Sequence, residues 1–137
     1  MNKAQATQFM TTFYRDVMSR FALDQLDNYL TVDYTQTTNG HQFNTDQVKQ
    51  HLANLHANLD RLVFSYFNDV VFDETTQTIT VAYQLTATQH NGHQALAEVI
   101  SIFTFADNKL ARCHELIIPL MQDDRSFIDL ATRITTK

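Results

Sequence analysis

The spacing of apolar side chains changes along this chain, from a mainly helical period before residue 61 to a two-residue alternation after it. A period of about 3.6 residues places apolar side chains along one side of a helix, whereas alternation places them on one face of a strand. Helices followed by consecutive strands are typical of an α+β domain, in which helices cover one face of a sheet. The change of period therefore restricts the fold class before any motif is considered.

Three helices and a strand are predicted in the first 60 residues. The first helix covers residues 4–21, where the apolar positions at helical spacing are Phe9, Phe13, Val17 and Phe21. Asp24 is the predicted cap of a second, shorter helix. Residues 32–38 predict a strand that ends at an Asn39-Gly40 turn, and Thr45 then caps a third helix with an apolar seam along residues 48–59.

Four long strands are predicted after residue 61, over residues 62–72, 78–88, 95–105 and 110–120. The segment Asn91-Gly92 predicts a two-residue hairpin loop, which would pair Thr86 with Ala97 and Gln84 with Val99. Consecutive hairpins form an antiparallel meander. Helical spacing returns in residues 124–134, which predicts a final packing helix.

The composition is that of one compact domain. The 137 residues are 44% hydrophobic, which is enough for one packed core, and two glycines and one proline provide no flexible linker. We therefore expect a single domain over residues 1–137. Cys113 is the one cysteine, so no internal disulfide can form, in agreement with a reducing compartment.

Charge and hydropathy restrict the partners. The net charge is -5 and the ten Lys and Arg residues are scattered, so the chain lacks the basic stripe that nucleic-acid binding requires. No apolar run has the length needed to cross a bilayer, and the first residues do not form an apolar signal segment. We expect a cytoplasmic protein that binds neither nucleic acid nor a membrane.

The order of the predicted elements and three short segments resemble one superfamily. The segments are residues 30–34 before the first strand, Asn39-Gly40 after it, and residues 105–110 at the last hairpin. Together they resemble the nuclear transport factor 2-like superfamily, in particular its SnoaL-like and ketosteroid isomerase-like branches. The resemblance implies a cone, with a curved antiparallel sheet wrapped around N-terminal helices and a pocket inside for a small-molecule ligand.

Alternation along the strands and the resemblance to the isomerase branch select the side chains that face this pocket. The first strand contributes residues by alternation, and the predicted hairpin pairing groups residues of the second and third strands on one face. The resemblance implies that this face is the inner one, and it also implies which residues of the last strand look inward. The expected ligand-binding residues are Gln36, Thr38, Gln84, Thr86, Val99, Ser101, Phe103, Cys113 and Ile117. Such a lining, mostly neutral and partly polar, suits a small polar or amphipathic ligand.

The opposite face of the sheet is also apolar. In the predicted register it carries Val81, Tyr83, Ile100 and Ile102. A patch of that extent is rare on the surface of a soluble monomer. A homodimer formed through this face is therefore predicted, in line with relatives of the fold; the alternative is that the last helix covers it.

Two side chains are candidates for catalysis. Glu115 is the carboxylate that the isomerase-like register places in the pocket, where desolvation would raise its pKa and suit it to act as a general acid or base. The alternative is a purely structural carboxylate at the pocket mouth. Tyr14 corresponds to the helix-one tyrosine that acts as an oxyanion donor in the isomerase branch, and the alternative for Tyr14 is a packed aromatic residue with its hydroxyl satisfied.

The sequence departs from both branches at other site positions. Where the isomerases carry their base and second donor, this chain has Thr38 and Ser101, and neither is a carboxylate, so steroid isomerisation is not expected. SnoaL-like cyclases often carry a histidine near the strand that holds Gln36 and Thr37 here, and this chain has none there.

The six histidines do not predict a metal site. His51 and His56 lie five residues apart on a predicted helix, and His90 and His93 flank a turn, so neither pair has the spacing of a ligand motif. We expect neither a metal nor a cofactor. His51 is interpreted as a half-buried structural side chain near the pocket rim.

The function predicted from these residues is that of a SnoaL-like small-molecule-binding protein of unspecified substrate. Its chemistry would be cofactor-independent isomerisation, dehydration or hydrolysis by a pocket acid or base. The alternative is a non-catalytic ligand-binding or dimeric assembly module. Glu115 separates the two, because an enzyme would bury it near Tyr14 beside unfilled space, whereas a module would leave it exposed or neutralised.

Overall fold

The structure, a computed structural model, describes residues 1–120. Helix α1 spans Lys3–Thr12 and continues as a π-helix over Phe13–Met18, a 3₁₀ helix covers Leu23–Asn28, and helix α2 spans Thr45–Asn58. The strands are β1 Leu30–Thr38, β2 His41–Asn44, β3 Leu59–Phe64, β4 Asp69–Asp73, β5 Thr78–Gln89, β6 Gln94–Ala106 and β7 Lys109–Pro119. The predicted helix over residues 124–134 lies outside the described residues.

All seven strands belong to one curved, unclosed sheet in the order β2-β1-β7-β6-β5-β3, with β4 paired to the other half of β5. The predicted α+β class is confirmed. The antiparallel pairing predicted for the strands after residue 61 is confirmed, since β3, β5, β6 and β7 pair antiparallel in turn. The sheet as a whole is mixed, and not antiparallel as the resemblance implied, because β1 pairs with β7 in parallel. Two parallel neighbouring strands need a long connection, and here it consists of β2, α2 and the strands β3 to β6.

Two features of the strands were not predicted. The Asn39-Gly40 turn forms with φ angles of 48° and 83°, but it leads into the additional strand β2, not directly into a helix. Residues 62–72, predicted as one strand, form β3 and β4, which pair with different halves of β5. Residues between them attach to the same strand, since the amides of Ser65 and Asn68 donate to carbonyls of Gln84 and Ala82.

The hairpin loop between β5 and β6, counted inside the bonded pair Gln89 and His93, has three residues, one more than predicted. The amide of Gly92 donates to the carbonyl of Gln89, and the amide of Gln89 donates to the carbonyl of His93, both at 2.9 Å. Gly92 has φ 86°, in the left-handed region that glycine adopts without a steric cost. This is the arrangement of a three-residue loop closed by a glycine bulge.

The extra loop residue shifts the pairing of β5 by one position and exchanges its two faces. Thr86 pairs with Leu96 and Gln84 pairs with Glu98, so both predicted ligand-binding residues of β5 lie on the outer face. The residues that the shift turns inward are Val81, Tyr83, Leu85 and Ala87, all buried. The prediction for Gln84 and Thr86 was therefore wrong, as was the placement of Val81 and Tyr83 on the outer face.

The core lies between the inner face of the sheet and the helices. Met10 and Val17 from the first helical segment and Leu52 from α2 are fully or almost fully buried against Val99 and Phe103 of β6 and the rest of the cluster. No helix within residues 1–120 combines the length and the apolar content needed to cross a bilayer.

Helix α2 begins with a capping box at Asn44, one residue before the predicted cap. The side chain of Asn44 accepts from the amide of Gln47, and the side chain of Gln47 accepts from the amide of Asn44, both at 2.9 Å. Reciprocal bonds of this kind satisfy two backbone donors of the first turn. The other predicted cap, Asp24, lies inside the 3₁₀ helix, which has Ala22 at its cap position and no side-chain cap bond.

The two possible caps of α2 can be told apart by substitution. Asn44→Ala should lower the free energy of unfolding by about 1 kcal/mol, because it leaves the amide of Gln47 without its side-chain acceptor. Thr45→Ala, the matched control at the next position, should cost clearly less. Denaturant unfolding followed by circular dichroism measures both, and a larger loss at Thr45 would contradict the observed cap.

Candidate functional site

A cavity of about 70 Å³ lies between the helices and the inner face of the sheet. Six of the residues predicted for the pocket line it, namely Tyr14, Gln36, Val99, Phe103, Glu115 and Ile117. A cavity needs roughly 10 to 15 Å³ of such volume to hold one water molecule, so the space is large enough for several. Glu115 is the one lining side chain with a formal charge in the described part of the chain.

A larger open groove of about 590 Å³ lies outside this cavity, along β3 and the segment that follows it. Tyr14, Leu62 and Phe64 line both the groove and the cavity, so these three side chains form the wall between them. The outer part of the groove is polar and includes Arg15 and Arg61. These three side chains therefore separate the cavity from the open space of the groove.

Strand register places Glu115 between two hydroxyl side chains. Thr38 of β1 is its partner on one side and Ser101 of β6 is its partner on the other. The Thr38 hydroxyl donates to Oε1 of Glu115 at 2.8 Å, and the Ser101 hydroxyl donates to Oε2 at 3.0 Å. Each carboxylate oxygen thus has a neutral donor from a neighbouring strand.

Three alternate residues of β1 extend this network. The Tyr34 hydroxyl donates to Oε1 of Gln36 at 2.8 Å, which orients the Gln36 amide. Its Nε2 then donates to the Thr38 hydroxyl at 2.9 Å and, over 3.3 Å, to Oε1 of Glu115. Residues two apart on a strand share a face, so one strand supplies the whole chain of donors.

Asn39 holds the end of β1 against β7 at Glu115 and Ile117. Its amide donates to the carbonyl of Glu115 at 3.1 Å, and its side chain forms a pair of bonds of 2.8 and 2.9 Å with the backbone of Ile117. The turn residue therefore fixes the backbone that carries the carboxylate. Asn tolerates the positive φ that this turn needs, and its side chain can hydrogen-bond to backbone groups.

Burial controls the protonation of Glu115. Desolvation raises the pKa of Glu115 from its ordinary value, and the hydrogen bonds from Thr38 and Ser101 oppose that shift by stabilising the charged form. No cationic side chain in residues 1–120 forms an ion pair with it. The result is a carboxyl group whose pKa has moved toward neutral pH, which is the direction useful for proton transfer.

Tyr14 lies in the π-helical segment. The centroid of its ring is 4.8 Å from the ring centroids of both Phe64 and Tyr83. Its hydroxyl is buried and forms no hydrogen bond of standard geometry within residues 1–120, although the adjacent Tyr83 side chain contributes to raising its pKa. Burial raises the pKa of Tyr14 well above its usual value, so the hydroxyl stays protonated and remains a donor. Segments of π-helix occur frequently at functional sites.

His51 faces the cavity from helix α2. Its side chain is 8% exposed, and its Nδ1 is buried without a hydrogen-bond partner in residues 1–120. Burial lowers the pKa of His51 to about 4, so the imidazole is neutral at pH 7. The interpretation of a half-buried side chain at the rim underestimated both its burial and its place in the cavity lining.

The remaining predicted residues do not line the cavity. Thr38, Ser101 and Cys113 are buried and near Glu115 but do not border the cavity, while Gln84 and Thr86 are on the outer face. Sequence reasoning missed Tyr34, Tyr83, Leu62 and Phe64. Alternation backward from Gln36 would have identified Tyr34 as a lining residue. The inward direction of Tyr83 could be predicted only from the correct length of the loop between β5 and β6.

Within residues 1–120 the structure shows no group of three His, Cys, Asp or Glu side chains that could hold a metal ion. The described polar side chains of the cavity are a carboxylate, phenols, an amide and one imidazole. They can donate and accept hydrogen bonds and move a proton at Glu115.

Comparison with known proteins shows the fold. No protein-family model matches the sequence, and no curated protein matches it. Among solved structures, a SnoaL-like polyketide cyclase from Agrobacterium tumefaciens is 16% identical with a TM-score of 0.67, and the match covers 93% of this chain and 98% of that one.

Two further solved structures are similar at the same level. A candidate polyketide cyclase from Xanthomonas campestris is 13% identical with a TM-score of 0.75, covering 95% of this chain and 99% of that one. PrhC from Penicillium brasilianum is 13% identical with a TM-score of 0.78, and the match covers 93% of this chain and 86% of that one. At such identities the likeness establishes a common fold over nearly the whole chain, and function has to be argued from the site.

His51 makes stability depend on pH in a defined direction. Because its folded pKa is about 4 against an ordinary 6.5, the unfolded chain binds more protons between these values. This contribution is fully present above pH 6.5 and is lost as the pH falls toward 4, with an upper bound on the order of 3 kcal/mol.

Substitution isolates this contribution. The free energy of unfolding of the wild type should fall relative to that of His51→Leu between pH 6.5 and 4, as measured by denaturant titrations at several pH values. His56→Leu, on the exposed side of the same helix, should keep the wild-type pH dependence. Parallel curves for the wild type and His51→Leu would show that His51 is not the titrating group.

Proposed function

We propose that this chain, which has the fold seen in SnoaL-like polyketide cyclases, binds a small uncharged molecule in the cavity beside Glu115 and catalyses a cofactor-independent proton transfer on it. The observation that carries the proposal is the environment of Glu115. The carboxyl group borders an aromatic cavity, is held by Thr38, Ser101 and Gln36, and has a raised pKa.

The arrangement supports general acid–base chemistry. The Glu115 carboxylate can take a proton from a carbon next to a carbonyl group, or from a hydroxyl group, and return it at a second position of the same molecule. Isomerisation and dehydration both consist of such transfers. Tyr14, whose buried hydroxyl has no partner among the described residues, can donate a hydrogen bond to the ligand oxygen that gains negative charge.

The charge of the cavity favours an uncharged ligand. No Lys or Arg side chain is among the residues of the described chain that line the cavity, and Glu115 would repel an anionic group. Aromatic side chains form much of the wall, including Phe103, Phe64 and Tyr83. A largely apolar ring compound with a carbonyl or hydroxyl group matches this combination.

The ligand reaches Glu115 through the groove. The closed cavity of about 70 Å³ is well below the roughly 300 to 1,000 Å³ of typical ligand sites, whereas the groove of about 590 Å³ lies directly outside the wall of Tyr14, Leu62 and Phe64. Movement of these side chains joins the two spaces. The ligand-bound site is then the cavity together with the inner part of the groove.

The outer face of the sheet supports a second proposal, a homodimer. Its exposed apolar side chains are Ile100, Ile102, Leu116 and Ile118, with exposed fractions of 45%, 44%, 51% and 51%. Ile100 is paired with Leu116 across β6 and β7, so the patch is continuous. Contiguous apolar surface on a soluble protein marks an interaction site, and a second copy of the chain is the simplest cover.

Glu115→Gln is the direct test of the catalytic role. The amide keeps the shape and can still bond to the Thr38 and Ser101 hydroxyls, but it cannot take up a proton, so turnover should fall at least about 100-fold with folding intact. Small carbonyl, hydroxy-acid and polycyclic compounds that raise the melting temperature of the wild type provide the substrates, and nuclear magnetic resonance follows their conversion.

Glu98→Gln is the matched control, because Glu98 lies on the outer face opposite Ile118. It should leave turnover unchanged. Conversion of a bound compound by Glu115→Gln at the wild-type rate would refute the catalytic role. Binding without any conversion by the wild type would favour the non-catalytic ligand-binding module.

The dimer is tested by placing charges in the outer patch. Ile100→Asp combined with Leu116→Asp should halve the mass measured by light scattering, since carboxylates would have to be buried in the interface. Val32→Asp, at a fully exposed apolar position of β1, is the control and should leave the mass unchanged. A monomeric mass for the wild type at micromolar concentration would exclude this dimer.

A further inference from the structure

We propose that His51 is a second polar contact for the ligand, supplied from helix α2 while Glu115 acts from the sheet. This inference rests on the proposed function, since it concerns the same cavity. It adds a residue that determines specificity: the ligand carries two hydrogen-bonding groups, one for Glu115 and one for His51.

The first argument is the unsatisfied nitrogen. His51 is only 8% exposed, and its Nδ1 is buried without a hydrogen-bond partner in the described chain. Leaving a buried polar atom unpaired costs free energy, and folded proteins contain few such atoms. An isolated structural histidine would normally bond to a backbone carbonyl or a neighbouring side chain.

The second argument is the surroundings of His51. Val48, Leu52 and Leu55, its neighbours on α2, are buried apolar residues, and the nearest aromatic ring is that of Phe43, 6.0 Å away between centroids. An aliphatic side chain would suit this seam better than an imidazole. His51 is one of the residues that line the cavity, so a molecule bound there lies against the His51 side chain.

The chemistry of the imidazole defines the ligand group. A neutral histidine has one N–H donor and one acceptor nitrogen, so it pairs well with a hydroxyl or a carbonyl group. Protonation is unfavourable at this buried position, so His51 provides no positive charge to hold a carboxylate or a phosphate. The ligand is therefore an uncharged compound with an apolar ring and two oxygen substituents, rather than an acid or a phosphate ester.

The test compares two ligands and two substitutions. The probes are 4-hydroxyacetophenone, which has two polar groups, and acetophenone, which has one. Calorimetry and saturation-transfer magnetic resonance measure their affinities for the wild type, His51→Leu and His51→Gln. His56→Leu is the control, since His56 is exposed on the same helix and stacks on Phe21 at 4.8 Å.

The inference expects a selective loss. His51→Leu should weaken 4-hydroxyacetophenone at least tenfold while changing acetophenone less than twofold, and His51→Gln should restore part of the loss. At pH 7 the melting temperature of His51→Leu should equal or exceed that of the wild type, because the substitution removes an unpaired buried nitrogen. A histidine with a purely structural role would instead lower the melting temperature on substitution.

The outcomes separate this inference from the function on which it rests. If the wild type binds both probes and His51→Leu weakens them equally or not at all, His51 is not a ligand contact, and the proposed function stands. If the wild type binds neither probe, the proposed function fails and this inference fails with it. A crystal structure of the free protein with Nδ1 bonded to a protein group would overturn the inference alone.

Discussion

The site depends on the parallel pairing of β1 with β7. This pairing places Thr38 beside Glu115, although the two residues are 77 positions apart in the sequence, and their side chains meet at 2.8 Å. The chain between the two residues forms β2, α2 and the strands β3 to β6, so this contact closes a long loop. The position of the carboxyl group therefore depends on elements far apart in the sequence, and Asn39 secures the pairing at the backbone of Glu115 and Ile117.

Two opposing effects act on Glu115. Burial among aromatic side chains penalises its charged form, and hydrogen bonds from Thr38, Ser101 and Gln36 partly compensate. A cationic partner would compensate more fully and would hold the carboxylate ionised and inert. Neutral donors leave the group oriented but still able to exchange a proton, which explains the use of hydroxyl and amide side chains on both flanking strands.

Two other polar groups of the cavity lining are buried without hydrogen-bond partners among the residues that the structure describes, and this lowers the stability of the folded protein. The Tyr14 hydroxyl and Nδ1 of His51 are both buried without partners in the described chain, and both residues line the same cavity as Glu115. Folded proteins tolerate such groups mainly at functional sites, where stability is given up for interaction with a ligand. Two of the three such groups in residues 1–120 belong to residues that line this cavity, the third being the Thr31 hydroxyl, and this supports the proposal that the cavity is the functional site.

Much of the fold was accessible from the sequence because it follows from local periodicity. The helical and alternating patterns located α1, α2 and the strands β5, β6 and β7 to within a few residues, and alternation on β1 placed Gln36 and Thr38 on the correct face. The errors occurred where local signals carry no information about pairing. Residues 62–72 alternate continuously, so nothing in the pattern shows that they divide between two halves of β5.

The sequence by itself determined the α+β class, because the period of apolar side chains is a local property, whereas Tyr14 and Glu115 were selected through the resemblance to the isomerase branch. The tertiary structure decided which face of β5 is buried, since one additional loop residue at Gly92 moved Tyr83 inward and Gln84 outward. It also decided that Glu115 is bonded by neutral side chains and that His51 lies unpaired in the same cavity. These contacts depend on strand register and on the packing of a helix over a sheet. The spacing of residues along the chain does not determine either of them.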